Sequence, residues 1–244
     1  MKLKKAPKWN AIIVFAILLA NFTFLPASGQ ERHVFVREDF NSLDDWRPLY
    51  FPKIEQHSKY TIVREGKESY LKAESNASAS GIIYRKEFNV YDYPKISWRW
   101  MISNVYKKGD TGGKSGDDYP IRIYVIFRYD PEKASLGQKI RYGLAKIIYG
   151  EYPPQSSLTY IWANREYPEK ILISPYASEA KMVIMEAGEE HAGKWMTEEA
   201  DILEDYKMAF GVSPPATASL AIMNDSDNTG ESSTSYVDYI EVYK

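Results

Sequence analysis

The stretch DDYPIRIYVIF, residues 117–127, decides the fold class of this chain. Its apolar side chains Ile121, Ile123, Val125 and Phe127 alternate with Arg122, Tyr124 and Ile126. A period of two is typical of a strand with one face in a core, and Pro120 suits the first position of a strand. We predict a central strand of a β-sandwich, whose other face carries Arg122 and Tyr124 as candidate binding residues. Asp117 and Asp118 precede the strand and join this set.

Residues 1–29 have the pattern of a secretory signal peptide. Lys2, Lys4, Lys5 and Lys8 precede an apolar run and the small residues Ala27, Ser28 and Gly29. This order is typical of exported proteins, whereas the apolar run is shorter than the roughly 20 residues of a membrane-spanning anchor. We predict a signal peptide at 1–29 and a single β-sandwich domain at 30–244. The mature protein would be periplasmic or secreted, with no stable membrane insertion.

The mature part is mildly acidic and has no cysteine. Without the four leader lysines, 27 basic residues remain against 33 acidic ones, so a basic nucleic-acid footprint is excluded. The absence of cysteine excludes disulfides and a cysteine-linked lipid anchor. Twenty tyrosines and six tryptophans suit strands, interfaces and stacking against ligand faces.

Short alternating runs separated by turn residues continue along the chain. They lie at 33–40, 60–63, 70–73, 81–88, 96–101, 157–163, 181–186, 218–223 and 236–243. This spacing is typical of an all-β sandwich. Asp39-Phe40-Asn41 followed by Trp46 resembles the opening strand of jelly-roll carbohydrate-binding domains, which implies a jelly-roll-like antiparallel arrangement.

The run at 96–101 places Trp98 and Trp100 on one face. We interpret them as core residues, the alternative being a sugar platform. The following glycine-rich loop, 107–116, lacks the glycine spacing of a phosphate loop, so we expect no nucleotide site there.

Two segments change to a helical period and predict two helical insertions. The first carries Leu136, Ile140, Leu144, Ile147 and Ile148, as expected of a helix packed over the sandwich, the alternative being a lid or a partner surface. In the second, Thr197 is the predicted N-cap and Gly211 the predicted end.

Four motifs in order resemble a bacterial exported family, the domain-of-unknown-function family 3047. They are DDYPIRIYVIF at 117–127, YIWAN at 160–164, the helix at 200–211 followed by Pro214-Pro215, and MNDSDNTG at 223–230. The resemblance covers most of the mature chain. It implies a secreted bacterial domain, and it transfers no activity and no catalytic residue.

The motif MNDSDNTG offers a candidate calcium loop. Asp225 and Asp227 supply carboxylates at the first and third positions and Gly230 a glycine at the sixth, as in an EF-hand loop, and Asn228 would add a further oxygen. However, Tyr236 occupies the position of the bidentate glutamate and no helix flanks the loop. A hard-cation site and an Asx-rich turn whose side chains bind their own backbone both remain open.

A second candidate calcium site lies between the terminal strands. Jelly-roll carbohydrate-binding domains often hold a structural ion there, and Asp39 and Asp238 would be the matching residues by fold analogy. The alternative is that Asp238 faces solvent.

Two pairs of carboxylates are candidates for catalysis. Asp117 with Asp118, or Asp225 with Asp227, would serve a glycosidase if they lay about 5 to 9.5 Å apart, and a lyase would use Tyr124 and Arg122. The histidines, His33, His57 and His191, have no partner motif for a zinc site or a triad. An enzyme is therefore the less favoured interpretation.

We predict a non-catalytic module that binds a glycan or a similar polar polymer. The candidate ligand-binding residues are Asp117, Asp118, Arg122, Tyr124, Tyr160, Trp162 and Asn164. Tyr124, Tyr160 and Trp162 would stack on sugar faces, and the others would bind hydroxyl groups. If Trp162 points inward, the platform is reduced to tyrosines. The alternatives are a glycan-cleaving enzyme and an envelope protein whose aromatic face meets a protein partner.

Overall fold

The computed structural model describes residues 32–51, 54–132, 136–137, 142 and 154–244. The predicted signal peptide and most of the first predicted helix lie outside these residues, although Leu136, Gly137 and Tyr142 are helical. No helix in the described part is long and apolar enough to cross a membrane.

The described residues form 14 strands, one complete α-helix and a short 3-10 helix at Lys114–Gly116. The strands are β1 Val34–Glu38, β2 Trp46–Leu49, β3 Lys59–Glu65, β4 Glu68–Asn76, β5 Ala79–Tyr84, β6 Phe88–Asn89, β7 Lys95–Ile102, β8 Arg122–Phe127, β9 Ser156–Ala163, β10 Ile171–Ile173, β11 Ala180–Ala187, β12 Met196–Asp201, β13 Thr217–Asp225 and β14 Ser232–Tyr243. Helix α1, Ile202–Phe210, connects β12 to β13. The prediction omitted β2, β10 and β12.

The strands form two sheets with a common core. The six-stranded sheet has the order β12-β7-β14-β4-β3, with β1 beside β14. The eight-stranded sheet has the order β10-β11-β9-β8-β13-β5-β2, with β6 beside β13. The pairing of β9 with β11 is parallel, and the others are antiparallel. The mainly-β, two-sheet class is confirmed.

The core lies between the inner faces of the two sheets. Ile121, Ile123, Val125 and Phe127 are fully buried, as the alternation predicts. The ring of Trp98 lies 4.9 Å from that of Tyr160, and both Trp98 and Trp100 are fully buried. The core interpretation of this tryptophan pair is therefore confirmed.

The eight-stranded sheet is also covered on part of its outer face. Tyr119, Ile161, Ala163 and Met182 form a second buried cluster there, with Tyr167 and Leu172 packed against it. Polar side chains at this end of the sheet are consequently shielded from solvent as well.

Helix α1 begins later than predicted. Residues 196–201 form β12, which pairs with β7, so Thr197 is a strand residue and not a helix cap. The N-cap is Asp201, whose side chain accepts hydrogen bonds from the backbone of Leu203 and Glu204. The predicted end is confirmed, since Gly211 adopts the left-handed conformation with φ of 71°.

Candidate functional site

The predicted polar ligand residues meet in a buried cluster at the ends of β8 and β13. Asp117, Asp118, Arg122 and Asn164 are 2%, 0%, 5% and 8% exposed. The fold brings them together, as predicted, but it encloses them. Apart from Asp117 Oδ1, which has no hydrogen-bond partner among the described residues, their hydrogen-bonding groups face protein partners, which argues against a direct contact with a polymer outside.

Arg122 forms a buried ion pair with Asp225 that crosses from β8 to β13. Its Nε donates to Asp225 Oδ1 at 2.9 Å, and its Nη2 donates to Asp225 Oδ2 and to the backbone oxygen of Asp117 at 2.6 Å. The guanidinium also lies over the ring of Tyr119, 4.5 Å from its centre. These contacts satisfy most of the donors of Arg122 and fix its side chain.

Asp118 holds the loop that follows β13. Its carboxylate accepts hydrogen bonds from the backbone N–H groups of Asn228 at 3.3 Å and Thr229 at 2.6 Å. The amide of Asn164 donates to the backbone oxygen of Asp118 at 2.7 Å, and a Cβ at position 109 would overlap that amide, so glycine is required there. Hydrogen bonds thus connect the segment DDYP to both YIWAN and MNDSDNTG.

The cluster contains more acids than bases. Burial raises the pKa of Asp225 to about 7, against the opposing effect of Arg122. Burial also raises the pKa of Asp117 and of Asp227. Burial would lower the pKa of Arg122, but the charge of Asp225 raises it well above its usual range, so this side chain stays charged.

Three acids of the cluster could hold a hard cation together. One carboxylate oxygen each of Asp118, Asp225 and Asp227 lies within 4.8 Å of the others, and Asn228 donates to Asp227 at 3.1 Å. A cation there would compete with Arg122 for Asp225. Asp225 and Asp227 of the predicted calcium loop are therefore close together.

Asp238 and Asp39, of the second predicted calcium site, bind arginines. Asp238 accepts a hydrogen bond from Arg99 at 3.0 Å, and Asp39 accepts one from Arg37 at 2.9 Å. Neither belongs to the acidic cluster around Asp225.

The predicted aromatic platform is wrong for two of its three members. Tyr160 and Trp162 are 0% exposed, because their positions on β9 face the core. The hydroxyl of Tyr160 donates to Asp205 at 3.1 Å, and the indole N–H of Trp162 donates to the oxygen of Gly188 at 3.1 Å. Tyr124 is half-buried and its hydroxyl contacts Met223 Sδ at 3.5 Å.

An unpredicted acid lies at the edge between the sheets. Glu198 on β12 points toward the core, and burial together with the charge of Glu186 raises its pKa to about 7. A bulge in β11 places Glu186 opposite Trp162, where its carboxylate binds His191 Nδ1 at 2.8 Å. Glu198 follows Thr197, the predicted helix cap, so the sequence pattern does not indicate its inward orientation on a strand.

An open groove of about 670 Å³ lies at one end of the six-stranded sheet. Nine of its twelve lining residues carry a hydroxyl or a carboxamide: Gln56, Ser75, Asn76, Ser78, Ser103, Asn104, Ser232, Ser233 and Thr234. The other three are His57, Lys59 and Glu74. None of these residues was predicted, because serine and asparagine near strand ends also suit turns.

Buried hydroxyl groups fix the floor of the groove. Tyr106 Oη lies 2.8 Å from Ser75 Oγ and 2.6 Å from Ser233 Oγ. Ser58 Oγ lies 3.2 Å from Ser78 Oγ and donates to the backbone oxygen of Asn224 at 2.7 Å. The floor is thus preorganised by a network that includes the motif at 223–230.

An exposed aromatic ring borders the groove. Tyr50 is 58% exposed, and its ring is stacked on that of the lining residue His57 with centres 4.1 Å apart and planes inclined by 23°. One face of Tyr50 is therefore held against His57, and the ring still has a large surface toward solvent.

A family model described as "Protein of unknown function (DUF3047)" matches residues 44–241. No curated protein matches the sequence.

Several solved structures are similar at the level of a distant likeness. The enzymatically active domain of bacteriophage CBA120 tailspike protein 4 matches at 6% identity and a TM-score of 0.40, covering 85% of this chain and 20% of that one, so this chain spans a fifth of that structure. Caldicellulosiruptor saccharolyticus CBM27-1, solved with mannohexaose, matches at 11% identity and a TM-score of 0.36, covering 85% of this chain and 95% of that one. The xyloglucanase domain of NopAA from Sinorhizobium fredii, solved with cellobiose, matches at 10% identity and a TM-score of 0.40, covering 82% of this chain and 93% of that one. Likeness at this level does not identify a ligand, so the function has to be argued from the groove itself.

Proposed function

Because this chain belongs to the DUF3047 family of proteins of unknown function, we propose a function from its own geometry: an exported, non-catalytic module that binds a glycan in the groove. The observation that carries the proposal is the lining of the groove, in which hydroxyl and carboxamide groups predominate. Such groups both donate and accept hydrogen bonds, as sugar hydroxyls do.

The arrangement of the groove suits a polar polymer more than a small apolar ligand. Binding sites for apolar ligands are concave and lined mainly by hydrophobic side chains, whereas this groove is open and polar. The exposed ring of Tyr50 supplies an apolar face beside the polar lining. A sugar ring combines an apolar face with polar edges, so it can use both features.

The position of the carboxylates favours binding over glycan cleavage. Asp117, Asp118 and Asp225 are almost fully buried. Asp118 and Asp225 already accept hydrogen bonds from the loop and from Arg122. A glycosidase needs two carboxyl groups that reach the scissile bond, and these acids are enclosed behind the sheet.

The proposal is tested by a glycan array probed with the purified protein, in calcium and again in a chelator, followed by calorimetry of the bound glycans. We expect binding without product formation. Replacing Gln56 and Asn76, both exposed in the groove, by alanine should weaken binding by about tenfold or more, equivalent to about 1.4 kcal/mol.

Two further variants complete this test. Tyr50→Ala should also weaken binding, whereas Tyr91→Ala, which removes a ring that is 47% exposed and lies outside the groove, should not. Shortened glycans in the binding reaction would replace the proposal with the enzyme alternative. No bound glycan, or full binding by the groove variants, would overturn it.

A further inference from the structure

Three half-buried aromatic side chains cluster on the outer face of the six-stranded sheet. The ring centres of Tyr70 and Tyr236 are 5.7 Å apart, and Trp195 lies 5.7 Å from Tyr70 and 6.3 Å from Tyr236. Their planes are inclined by 57° to 79°, so a ligand crossing the cluster would meet ring edges as well as ring faces.

The strand register places this aromatic cluster next to the groove. Thr234 on β14 pairs with Glu74 on β4, and both line the groove. Two residues further along, Tyr236 pairs with Lys72, and Tyr70 follows two residues beyond Lys72. Because residues two apart in a strand share a face, the groove and the cluster are consecutive parts of one surface.

The charges along this surface are balanced: two ion pairs join opposite charges, and Lys59 in the groove and Glu65 beside the Tyr70 hydroxyl add one charge of each sign. Lys72 Nζ lies 2.8 Å from Glu74 Oε1, and Arg99 Nη1 lies 3.0 Å from Asp238 Oδ2. Arg99 also lies over the ring of Trp195, 5.1 Å from its centre. Paired charges of opposite sign give little net attraction for an ionic ligand, so the surface suits an uncharged one.

We infer that the groove and the aromatic cluster bind one ligand together, a linear uncharged polysaccharide that lies along β14. One end of the bound segment occupies the groove, and a later sugar unit contacts Trp195 and Tyr236. This inference rests on the proposed function and specifies its ligand class.

The length of the surface sets the length of the ligand. Asn76 in the groove and Tyr70 in the cluster are separated by six positions on β4, which corresponds to roughly 20 Å at about 3.3 Å per residue. A disaccharide covers only part of this distance, whereas a hexasaccharide reaches both ends. Affinity should therefore rise with chain length.

Calorimetry with two neutral linear series provides the test: cellobiose against cellohexaose, and mannobiose against mannohexaose. We expect at least one hexasaccharide to bind about tenfold or more tightly than its disaccharide, with an affinity that is insensitive to salt. Trp195→Ala should remove most of this difference and leave disaccharide binding within about twofold. The variant Gln56→Ala/Asn76→Ala should weaken both lengths.

Controls separate this inference from the proposed function. Tyr70→Ala repeats the test at a second member of the cluster, Tyr91→Ala is the matched variant away from it, and circular dichroism checks that each protein is folded. Equal affinity for both lengths, an unchanged length dependence in Trp195→Ala and Tyr70→Ala, or no binding of either hexasaccharide would overturn the extended path. In those cases the proposed function would still stand if array glycans bind the wild-type protein and the groove variant loses them.

Discussion

Among the trios of arginine, aspartate and aromatic ring in the described residues, two lie in opposite environments. Arg122 binds Asp225 and lies 4.5 Å from the ring centre of Tyr119, with 6% of its side chain exposed. Arg99 binds Asp238 and lies 5.1 Å from the ring centre of Trp195, with 40% of its side chain exposed. The same residue types thus join two strands in the interior in the first trio and form part of the exposed surface in the second. Burial, more than residue type, assigns the role.

The two environments differ in what the loss of one partner costs. A charge left alone in the interior keeps its desolvation penalty, and removing its partner typically costs 3–5 kcal/mol. An exposed pair is screened by water and contributes about 0.2–1 kcal/mol. Changing one member of each trio tests whether the two costs differ in this way.

The largest effect is expected for Arg122→Met. The change leaves Asp225 without its buried partner, so we expect the free energy of unfolding to fall by about 3–5 kcal/mol in urea denaturation. The double variant Arg122→Met/Asp225→Leu should lose less than the single variant, because it removes both charges. A loss below about 1 kcal/mol for Arg122→Met would show that the cluster is not held by this pair.

Two tryptophans, one in the core and one on the surface, allow stability and binding to be compared. Trp162 is fully buried, so Trp162→Ala should cost about 3–5 kcal/mol of unfolding free energy. Trp195 is half-buried, so its replacement should cost clearly less while weakening hexasaccharide binding. Thermal unfolding and calorimetry on the same two proteins measure both quantities. Equal losses of stability would contradict the distinction between the two regions.

A smaller effect should appear in the pH dependence of stability. The pKa of Glu198 is about 7 in the folded protein, against an ordinary value of 4.5. Below about pH 4.5 the carboxyl is protonated in both states. Between pH 4.5 and 7 the carboxyl of Glu198 ionises in the unfolded state and stays largely protonated in the folded state. The free energy of unfolding therefore falls as the pH rises through this range.

Glu198→Gln tests this dependence, because the amide stays neutral at every pH. Relative to wild type, the free energy of unfolding of the variant should rise by about 1–2 kcal/mol between pH 4 and pH 8, a value reduced for the partial exposure of Glu198. Urea denaturation at several pH values gives the measurement. Parallel pH profiles for the two proteins would show that Glu198 titrates normally.

The smallest effect is expected for Arg99→Met. It breaks the exposed pair with Asp238, so the free energy of unfolding should change by less than about 1 kcal/mol, with a difference that shrinks at high salt. A loss as large as that of Arg122→Met, measured under the same conditions, would mean that exposure does not separate the two trios.

Much of the fold follows from local patterns in the sequence. The alternation at 121–127 and the pair Trp98 and Trp100 predict buried strand faces, because the apolar side chains lie two residues apart. The helix end at Gly211 follows from a glycine that can adopt a positive φ. The predicted start of α1 is wrong because the pairing of β12 with β7 overrides the capping pattern at Thr197.

The candidate site was less accessible to prediction. A period of two separates the faces of β8 but does not show that the second face is also covered, so Arg122 was expected to meet a ligand. Both faces of β9 carry apolar residues, so the pattern does not show which face meets the core. Tyr160 and Trp162 were expected on the ligand face and lie on the core face. The groove joins Gln56, Asn104 and Ser232, which are distant in the sequence and meet only through the pairing of β3, β4, β7 and β14.

The position of the ligand can be located from the backbone amide shifts of the isotope-labelled protein, followed by NMR while an array-selected neutral glycan is added. We expect the perturbed amides to lie at 56–59, 74–76, 103–104 and 232–234, around the groove. Perturbations centred on 117–122 and 225–229 would place the ligand at the buried acidic cluster and contradict binding in the groove.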